Sequence, residues 1–198
     1  MRVGDDVVDL DDPFIARTHE RPRWLGRVLA ESELAALRAS RDPKTLLWSF
    51  FAAKEAAYKI AAKCRNPPPF AHRQFVVAPE LRQIRYGKIV FDLVVEVEGA
   101  CVHAVASTGV GARVAGIGIV EEGRDSGEVA RRRLCQDVAR HLRCAENTLG
   151  VVRTPSPERW DGFSPPILER DGRPSGVDIS LTHDGRFVGF AAGVRKSD

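Results

Sequence analysis

Three charged side chains interrupt an apolar stretch that ends at a fourth, Lys63; residues 46–63 read LLWSFFAAKEAAYKIAAK. Lys54 and Lys59 flank Glu55, and a carboxylate between two lysines could hold a divalent cation beside phosphate oxygens. A simpler interpretation is also open. Glu55 and Lys59 are spaced and ordered as an ion pair on a helix surface, and such pairs are usually solvated and contribute little. The rest of the chain has to distinguish these interpretations.

The stretch that carries these side chains is predicted to be a helix. Asp42 is a good N-cap, and Pro43 suits the first helical turn. Asn66 and the prolines at 67–69 are expected to end the helix. The apolar residues that recur at helical spacing, and so form one buried face, are Leu47, Phe50, Phe51, Ala53, Ala57, Ile60 and Ala61.

A second group of acids lies near the N-terminus, in a valine-rich segment predicted to be a strand over residues 2–10. Asp5, Asp6 and Asp9 cost stability there unless they face water or a cation. Side chains alternate along a strand, so Asp6 shares one face with Val8, while Asp5 and Asp9 lie on the other. A loop rich in aspartate follows.

The composition is that of an ordinary soluble globular protein, with 198 residues, 43% hydrophobic and 29% charged, and a net charge of +3. The four cysteines form no CxxC pair and are interpreted as reduced thiols of a cytosolic protein. The sequence shows no secretory signal and no membrane-spanning run, which favours a soluble, cytoplasmic protein. A nucleic-acid-binding protein is disfavoured because no basic stripe with interleaved aromatic residues is visible.

The remaining pattern predicts an α+β fold of two pseudo-equivalent lobes, each a small antiparallel sheet packed on a long helix. A helix over 31–41 precedes the long one, and another follows a linker at 121–127. Predicted strands cover 73–78, 88–97, 100–108, 113–120, 150–153, 167–170, 177–182 and 187–194, with hairpin turns at Glu98-Gly99 and Asp184-Gly185. The expected lobes are residues 1–122 and 123–198.

Three stretches together resemble the 4′-phosphopantetheinyl transferases. Residues 4–9 (GDDVVD) resemble the family's G-[IV]-D-x-x-[ED] segment. Residues 51–59 (FAAKEAAYK) are similar to its aromatic-S-x-K-E-[AS]-x-x-K segment, and residues 178–185 (DISLTHDG) resemble its x-[IF]-S-x-[ST]-H-[SD]-G segment. Each motif is weak by itself, but three in one chain are difficult to obtain by accident.

The resemblance implies transfer of the phosphopantetheine arm of coenzyme A to a serine of an apo acyl or peptidyl carrier protein, with release of 3′,5′-ADP. It implies Mg²⁺ held by Asp6 and Glu55, with Glu55 also accepting the serine proton. Lys54 and Lys59 would act at the leaving phosphate, as catalytic and coenzyme-binding residues. The further coenzyme A contacts it implies are Thr182, His183, Arg132 and Arg173. Metal and catalytic motifs then belong to 1–122, and coenzyme A motifs to 123–198.

The order of the motifs departs from the family. In surfactin-type members the S-H-[SD]-G segment precedes the G-x-D segment, whereas here it lies near the C-terminus. Joining residues 195–198 to Met1 would restore the order, so the chain looks like a circular permutant of the surfactin-type fold, expected to act as a monomer. Val8 stands where many such members have a third acidic ligand, Asp5 occupies a usually apolar site, and Ala52 replaces a serine.

These departures keep alternatives open. One is a degenerate relative that binds coenzyme A or carrier protein without transfer, and another is an unrelated metal-dependent phosphotransferase or hydrolase that uses the same acids. Residues that join no recognisable group, and are interpreted as surface, structural or packing residues, are His19, His72, His103, His141, Trp24, Trp48 and Trp160.

Overall fold

The computed structural model describes residues 1–15, 21–64, 69, 71–157 and 162–194. The helices within these ranges are α1 (Pro22–Val28), α2 (Glu31–Ala39), α3 (Pro43–Ala62) and α4 (Ser126–Leu142). The strands are β1 (Arg2–Asp9), β2 (Phe75–Val77), β3 (Gln83–Tyr86), β4 (Ile89–Glu98), β5 (Cys101–Thr108), β6 (Ala112–Ile119), β7 (Leu149–Val152), β8 (Ile167–Arg170), β9 (Arg173–Pro174), β10 (Asp178–Asp184) and β11 (Phe187–Val194). Helices and antiparallel sheets together confirm the α+β class.

The first lobe is a five-stranded antiparallel sheet, in the order β1-β5-β4-β3-β2, with α3 packed on one face. The Asp42 carboxylate accepts a hydrogen bond from the Thr45 N–H at 3.1 Å, which confirms the predicted N-cap of α3. The helix approaches β1 so closely that a Cβ at Gly4 would lie 2.0 Å from the carbonyl oxygen of Ala56. Glycine at position 4 therefore sets the distance between the helix and the strand that carries Asp6.

The second lobe is a three-stranded antiparallel sheet in the order β10-β11-β6, with α4 packed on it and the small sheet β7-β8-β9 beside it. Its buried core includes Leu134, Val138, Ile179 and Phe190. The prediction that placed strand 113–120 in the first lobe is corrected here, because β6 pairs with β11 along its whole length. The chain therefore passes from the first sheet to the second between the end of β5 at Thr108 and the start of β6 at Ala112, and not at residue 122.

The two lobes meet along the free edge of β1. Alternate backbone N–H groups of β1 donate to alternate side chains of β10, and we name these four side chains the β10 acceptor row. The pairs, with their donor–acceptor distances, are Val3 with Asp178 (2.8 Å), Asp5 with Ser180 (3.1 Å), Val7 with Thr182 (3.4 Å) and Asp9 with Asp184 (2.8 Å). The period of two on both strands fixes one register between the lobes.

Asp9 anchors the turn between β10 and β11 onto β1. Its nearly buried carboxylate accepts hydrogen bonds from the Arg186 side chain at 2.7 and 2.8 Å and from the Arg186 backbone N–H at 3.2 Å. The Arg186 side-chain hydrogen bonds lower the pKa of Asp9 to about 2, although burial acts in the opposite direction.

Because this pKa lies below that of an unfolded aspartate, Asp9 stabilises the fold above about pH 4, and the contribution is lost as the pH falls towards 2. We expect Asp9→Asn to lower the free energy of unfolding by about 1.5–3 kcal/mol at pH 7, and the difference from wild type to shrink below pH 4. Urea unfolding between pH 2.5 and 7 measures both. A difference that stays constant over this range would contradict the assignment.

The predicted packing role of two tryptophans is confirmed. The ring centroids of Trp24 and Trp48 lie 5.7 Å apart. The ring centroid of Phe51 lies 6.0 Å from that of Trp24 and 5.2 Å from that of Trp48. Some predictions concern residues outside the described ranges, namely His19, Asn66, Pro67, Pro68, Trp160 and the junction at 195–198. Among the residues that the structure describes, every helix is too short or too polar to span a bilayer.

Candidate active site

The first lobe brings Asp6 and Lys59 together, and the second lobe adds Thr182. Lys59 Nζ donates to Asp6 Oδ1 at 2.9 Å and to the backbone oxygen of Asp5 at 2.7 Å. Thr182 Oγ1 donates to the same Asp6 oxygen at 3.0 Å. The ion pair on this face is therefore Lys59 with Asp6, across two elements, and not a solvated pair between Glu55 and Lys59 on the helix surface. Asp6 occupies the predicted face of β1, towards α3.

The electrostatics of Asp6 reflect a partly desolvated acid with a second acid nearby. Its side chain is 14% exposed. Burial raises the pKa of Asp6 to about 6; Lys59 opposes this shift, and the negative charge of Glu55 adds to it. Asp6 and Asp5 in turn hold the pKa of Lys59 above its usual value despite the burial of that lysine. Glu55 thus lies close enough to Asp6 to disfavour the charge on Asp6.

Glu55 has a partner that the sequence did not reveal. His72 Nε2 lies 3.3 Å from Glu55 Oε1, and both side chains are about one-quarter exposed, at 25% and 24%. His72 begins a short 3₁₀ turn (His72–Gln74) that leads into β2. His72 could not be assigned to a group from the sequence. The segment between α3 and His72 is rich in proline and has no periodic pattern that would predict its course.

Lys54 lies in the core of the first lobe and does not join this group. Its Nζ is 2.8 Å from Glu33 Oε2, and it also donates to the backbone oxygens of Phe75 and of His72, the latter at 3.2 Å. The side chains of Lys54 and Glu33 are 0% and 1% exposed. Burial lowers the pKa of Lys54, although Glu33 opposes the shift. The structure therefore does not bring Lys54 to Asp6 and Lys59, and its Nζ is already occupied by protein acceptors.

The predicted coenzyme A residues divide into two sets. Thr182 is buried, with its hydroxyl bonded to both Asp6 and the Val7 N–H. His183, Arg132 and Arg173 are exposed. Among the described residues, none of these three forms a hydrogen bond or ion pair with Asp6, Glu55 or Lys59. Arg132 lies on α4 and lines a cavity of about 360 Å³ together with Glu128 and Gln136. Alternation along β10 directs His183 away from the face that carries Thr182.

A further buried pair lies between the lobes. His103 on β5 places Nε2 at 3.3 Å from Asp5 Oδ2, and the two side chains are 4% and 0% exposed. Although burial would raise it, the pKa of Asp5 is held below its usual value by His103 and Lys59. Asp5 Oδ1 has no hydrogen-bond partner among the described residues. Asp5 is therefore shielded from water, and the groups that offset the cost of its burial are His103 and the charge of Lys59.

Comparison with known proteins gives a partial match. No family model matches the chain. Holo-[acyl-carrier-protein] synthase of Azoarcus sp. (strain BH72) is 44% identical over 54 residues, which are 27% of this chain and 43% of that protein. The chain thus spans less than half the length of this curated relative.

Two solved structures are also similar. The crystal structure of holo-[acyl-carrier-protein] synthase from Neisseria meningitidis has 21% identity and a TM-score of 0.44, over 54% of this chain and 98% of its own. The enzyme of the same name from Thermotoga maritima has 13% identity and a TM-score of 0.37, and the match covers 88% of this chain and 84% of that chain. TM-scores below 0.5 do not establish a shared fold.

The curated relative confirms a resemblance to the 4′-phosphopantetheinyl transferases over 27% of the chain. That relative is a holo-[acyl-carrier-protein] synthase, and its name states that it acts on an acyl carrier protein.

Proposed function

We propose that this protein transfers the 4′-phosphopantetheine arm of coenzyme A to a serine of an apo acyl or peptidyl carrier protein, with Mg²⁺ as cofactor. The observation that carries the proposal is that Lys59 and Thr182 both contact Asp6, so that residues from all three motifs of the resembling family meet at one carboxylate. Lys59 contacts Asp6 directly, and the charge of Glu55 influences that of Asp6. Thr182, from the third motif, contacts the same carboxylate.

The residues at this site fit a magnesium ion. Mg²⁺ prefers hard oxygen ligands, retains several waters and is usually bound by one or two carboxylates together with substrate phosphates. Asp6 and Glu55 supply two carboxylates, and within the described ranges no group of three or more His, Cys, Asp or Glu side chains could hold a metal ion. Burial, and to a smaller extent the charge of Glu55, raises the pKa of Asp6, and a cation bound beside Asp6 would stabilise its charged form. When bound, Mg²⁺ neutralises charge on the phosphoryl oxygens.

The side chains of the chain have separate tasks in the transfer. Glu55 accepts the proton of the carrier serine, whose oxygen forms the new bond to phosphorus while the pyrophosphate bond breaks and 3′,5′-ADP leaves. Lys59 holds Asp6 in place and supplies positive charge beside the phosphates. His183, Arg132 and Arg173 are exposed and available to phosphate groups of coenzyme A. Lys54 has a structural role in this proposal, because its ammonium group is buried with Glu33.

We assign the metal and catalytic residues to the first lobe and coenzyme A phosphate binding mainly to the second, in a monomer. A single chain supplies Asp6, Glu55, Lys59 and Thr182, so the site needs no second copy for these four side chains.

The experiment that tests the function is the intact mass of an apo carrier protein after incubation with this protein, coenzyme A and Mg²⁺. We expect a gain of one phosphopantetheine group, and no gain when the metal is chelated. Fatty-acid, polyketide and peptide carriers should be compared, since the site does not specify the carrier. No gain with any of them would contradict the proposed transfer.

A second candidate function is binding of coenzyme A or carrier protein without transfer. The observation in its favour is that no group of three or more His, Cys, Asp or Glu side chains among the described residues could hold a metal ion, while Val8 stands where surfactin-type members often have a third acidic ligand. Calorimetry with coenzyme A separates the two functions: binding without any mass gain on the carriers would favour the binding module.

We also propose that the chain is a circular permutant of the surfactin-type arrangement. The supporting observation is that the N-terminus and the last described strand lie together. A Cβ at Gly111 would lie 2.4 Å from the backbone oxygen of Val194 and 2.7 Å from Met1 Sδ. A variant with its ends joined by a short linker and opened between Glu122 and Gly123 should therefore fold and keep its transfer activity. Failure of this variant to fold, measured by circular dichroism, would count against the permutation.

A further inference from the structure

Lys54 and Glu55 are adjacent in the sequence, and both contact the same residue, His72. Lys54 Nζ donates to the backbone oxygen of His72 at 3.2 Å, while Glu55 Oε1 lies 3.3 Å from the His72 ring. The Lys54 side chain is buried in the core, whereas the Glu55 side chain is 24% exposed. The two neighbours on α3 therefore hold His72 by its backbone and by its ring.

The backbone of His72 is fixed by buried groups. Its carbonyl oxygen accepts from Lys54 and from the Phe75 N–H, which closes the 3₁₀ turn. Lys54 is itself fixed by Glu33, whose second carboxylate oxygen accepts from the Val77 N–H at 2.7 Å. Since Lys54 and Glu33 are almost completely inaccessible to solvent, this part of the network has little freedom to move.

The ring of His72 is also restrained. It stacks on Phe51 with ring centroids 5.1 Å apart and an angle of 27° between the planes. Phe51 in turn packs against Trp24 and Trp48. With its backbone and ring both held, His72 presents Nε2 to Glu55 in one orientation. An ionised carboxylate can only accept, so Nε2 carries the hydrogen in this contact.

We infer that His72 is a positioning residue that orients the Glu55 carboxylate towards the metal and the carrier serine. The inference rests on the proposed function and adds a residue outside the three motifs. Lys59 and Thr182 donate hydrogen bonds to Asp6, whereas His72 is the donor to Glu55. Hydrogen-bond partners that orient metal ligands typically change metal affinity or activity by about 10–100-fold when they are removed.

Two substitutions separate the hydrogen bond from the packing. His72→Phe keeps an aromatic ring on Phe51 but removes the donor, and His72→Gln removes the ring but retains a donor at about the position of Nε2. His141→Phe is the matched control, because His141 is exposed near the end of α4. The measurements are the affinity for Mg²⁺ by calorimetry with coenzyme A present, the kcat and KM of transfer to apo carrier protein, and the thermal midpoint.

For His72→Phe we expect Mg²⁺ affinity and kcat to fall by about 10–100-fold, with KM for the carrier and the thermal midpoint little changed. His72→Gln should recover most of both losses, and His141→Phe should match wild type. Wild-type values for His72→Phe, or equal losses in His72→Phe and His72→Gln, would overturn the inference.

The Mg²⁺ titration needs no turnover, so it separates this inference from the proposed function. If wild type binds Mg²⁺ but transfers nothing, only the transfer is contradicted. In that case a weakened Mg²⁺ affinity of His72→Phe still supports the positioning role, and an unchanged affinity overturns it.

Discussion

Replacement of Glu55 by glutamine is expected to lower the rate of phosphopantetheine transfer by about 10³-fold, because an amide cannot accept the serine proton and is a poorer metal ligand. Asp6→Asn should cause a comparable loss by weakening the metal site. Both substitutions preserve side-chain shape. Asparagine at position 6 still offers an oxygen to Lys59 and Thr182, which contact Asp6 at 2.9 and 3.0 Å. We therefore expect the loss of activity without a loss of folding.

The stability of these two variants is the informative control. Burial and the neighbouring Glu55 both disfavour the charge on Asp6, so its removal should leave the free energy of unfolding within about 1 kcal/mol of wild type or raise it. Glu31→Gln provides a matched substitution at a side chain that is 90% exposed, and its transfer rate should equal that of wild type. Wild-type turnover by either Glu55→Gln or Asp6→Asn would exclude the proposed site.

Lys54→Met should have its main effect on stability. Methionine fills a similar volume but leaves Glu33 as a buried carboxylate without its cation, and the loss of one partner of a buried pair typically costs about 3–5 kcal/mol. Lys54 Nζ also ties α3 to the backbone of Phe75 at the start of β2. Urea unfolding of the variant, followed by circular dichroism, should show a lowered midpoint with a similar slope.

A double variant tests whether the pair is structural. Glu33→Gln with Lys54→Met removes both charges, so part of the stability lost in Lys54→Met should return. If Lys54→Met were instead as stable as wild type but inactive, the catalytic role predicted from the sequence would be correct and the structural role wrong. Transfer assays must be run well below the unfolding midpoint to keep the two effects apart.

Local signals were sufficient to predict much of the fold. The N-cap Asp42, Pro43 and the apolar periodicity of 46–63 predicted α3, and Asp184-Gly185 between two apolar runs predicted the hairpin of β10 and β11. In contrast, β3 (Gln83–Tyr86) has four residues and one fully buried side chain, which is too little alternation to detect. Alternation along residues 113–120 predicts a strand but not its partner. The pairing of β6 with β11 depends on tertiary contacts, so it could not be predicted from this pattern.

The sequence predicted acids for the candidate site but not the partners of those acids. Motif resemblance identified Asp6, Glu55 and Lys59, which the structure brings together. It also selected Lys54, whose burial depends on Glu33 of α2, a contact that no local pattern of residues specifies. His72 and His103 are positioned by loops and strand pairing, so their contacts with Glu55 and Asp5 become visible only in three dimensions.

The β10 acceptor row has a consequence for the synthesis of this chain. β1 emerges from the ribosome 175 residues before the β10 side chains that accept hydrogen bonds from its alternate N–H groups. Until that segment has been made, the first lobe exposes an unpaired strand edge of the kind that recruits strands from other chains. Release of the nascent chain before β10 therefore leaves a species prone to aggregation, even when the sheet around β5 and the helix α3 have already formed.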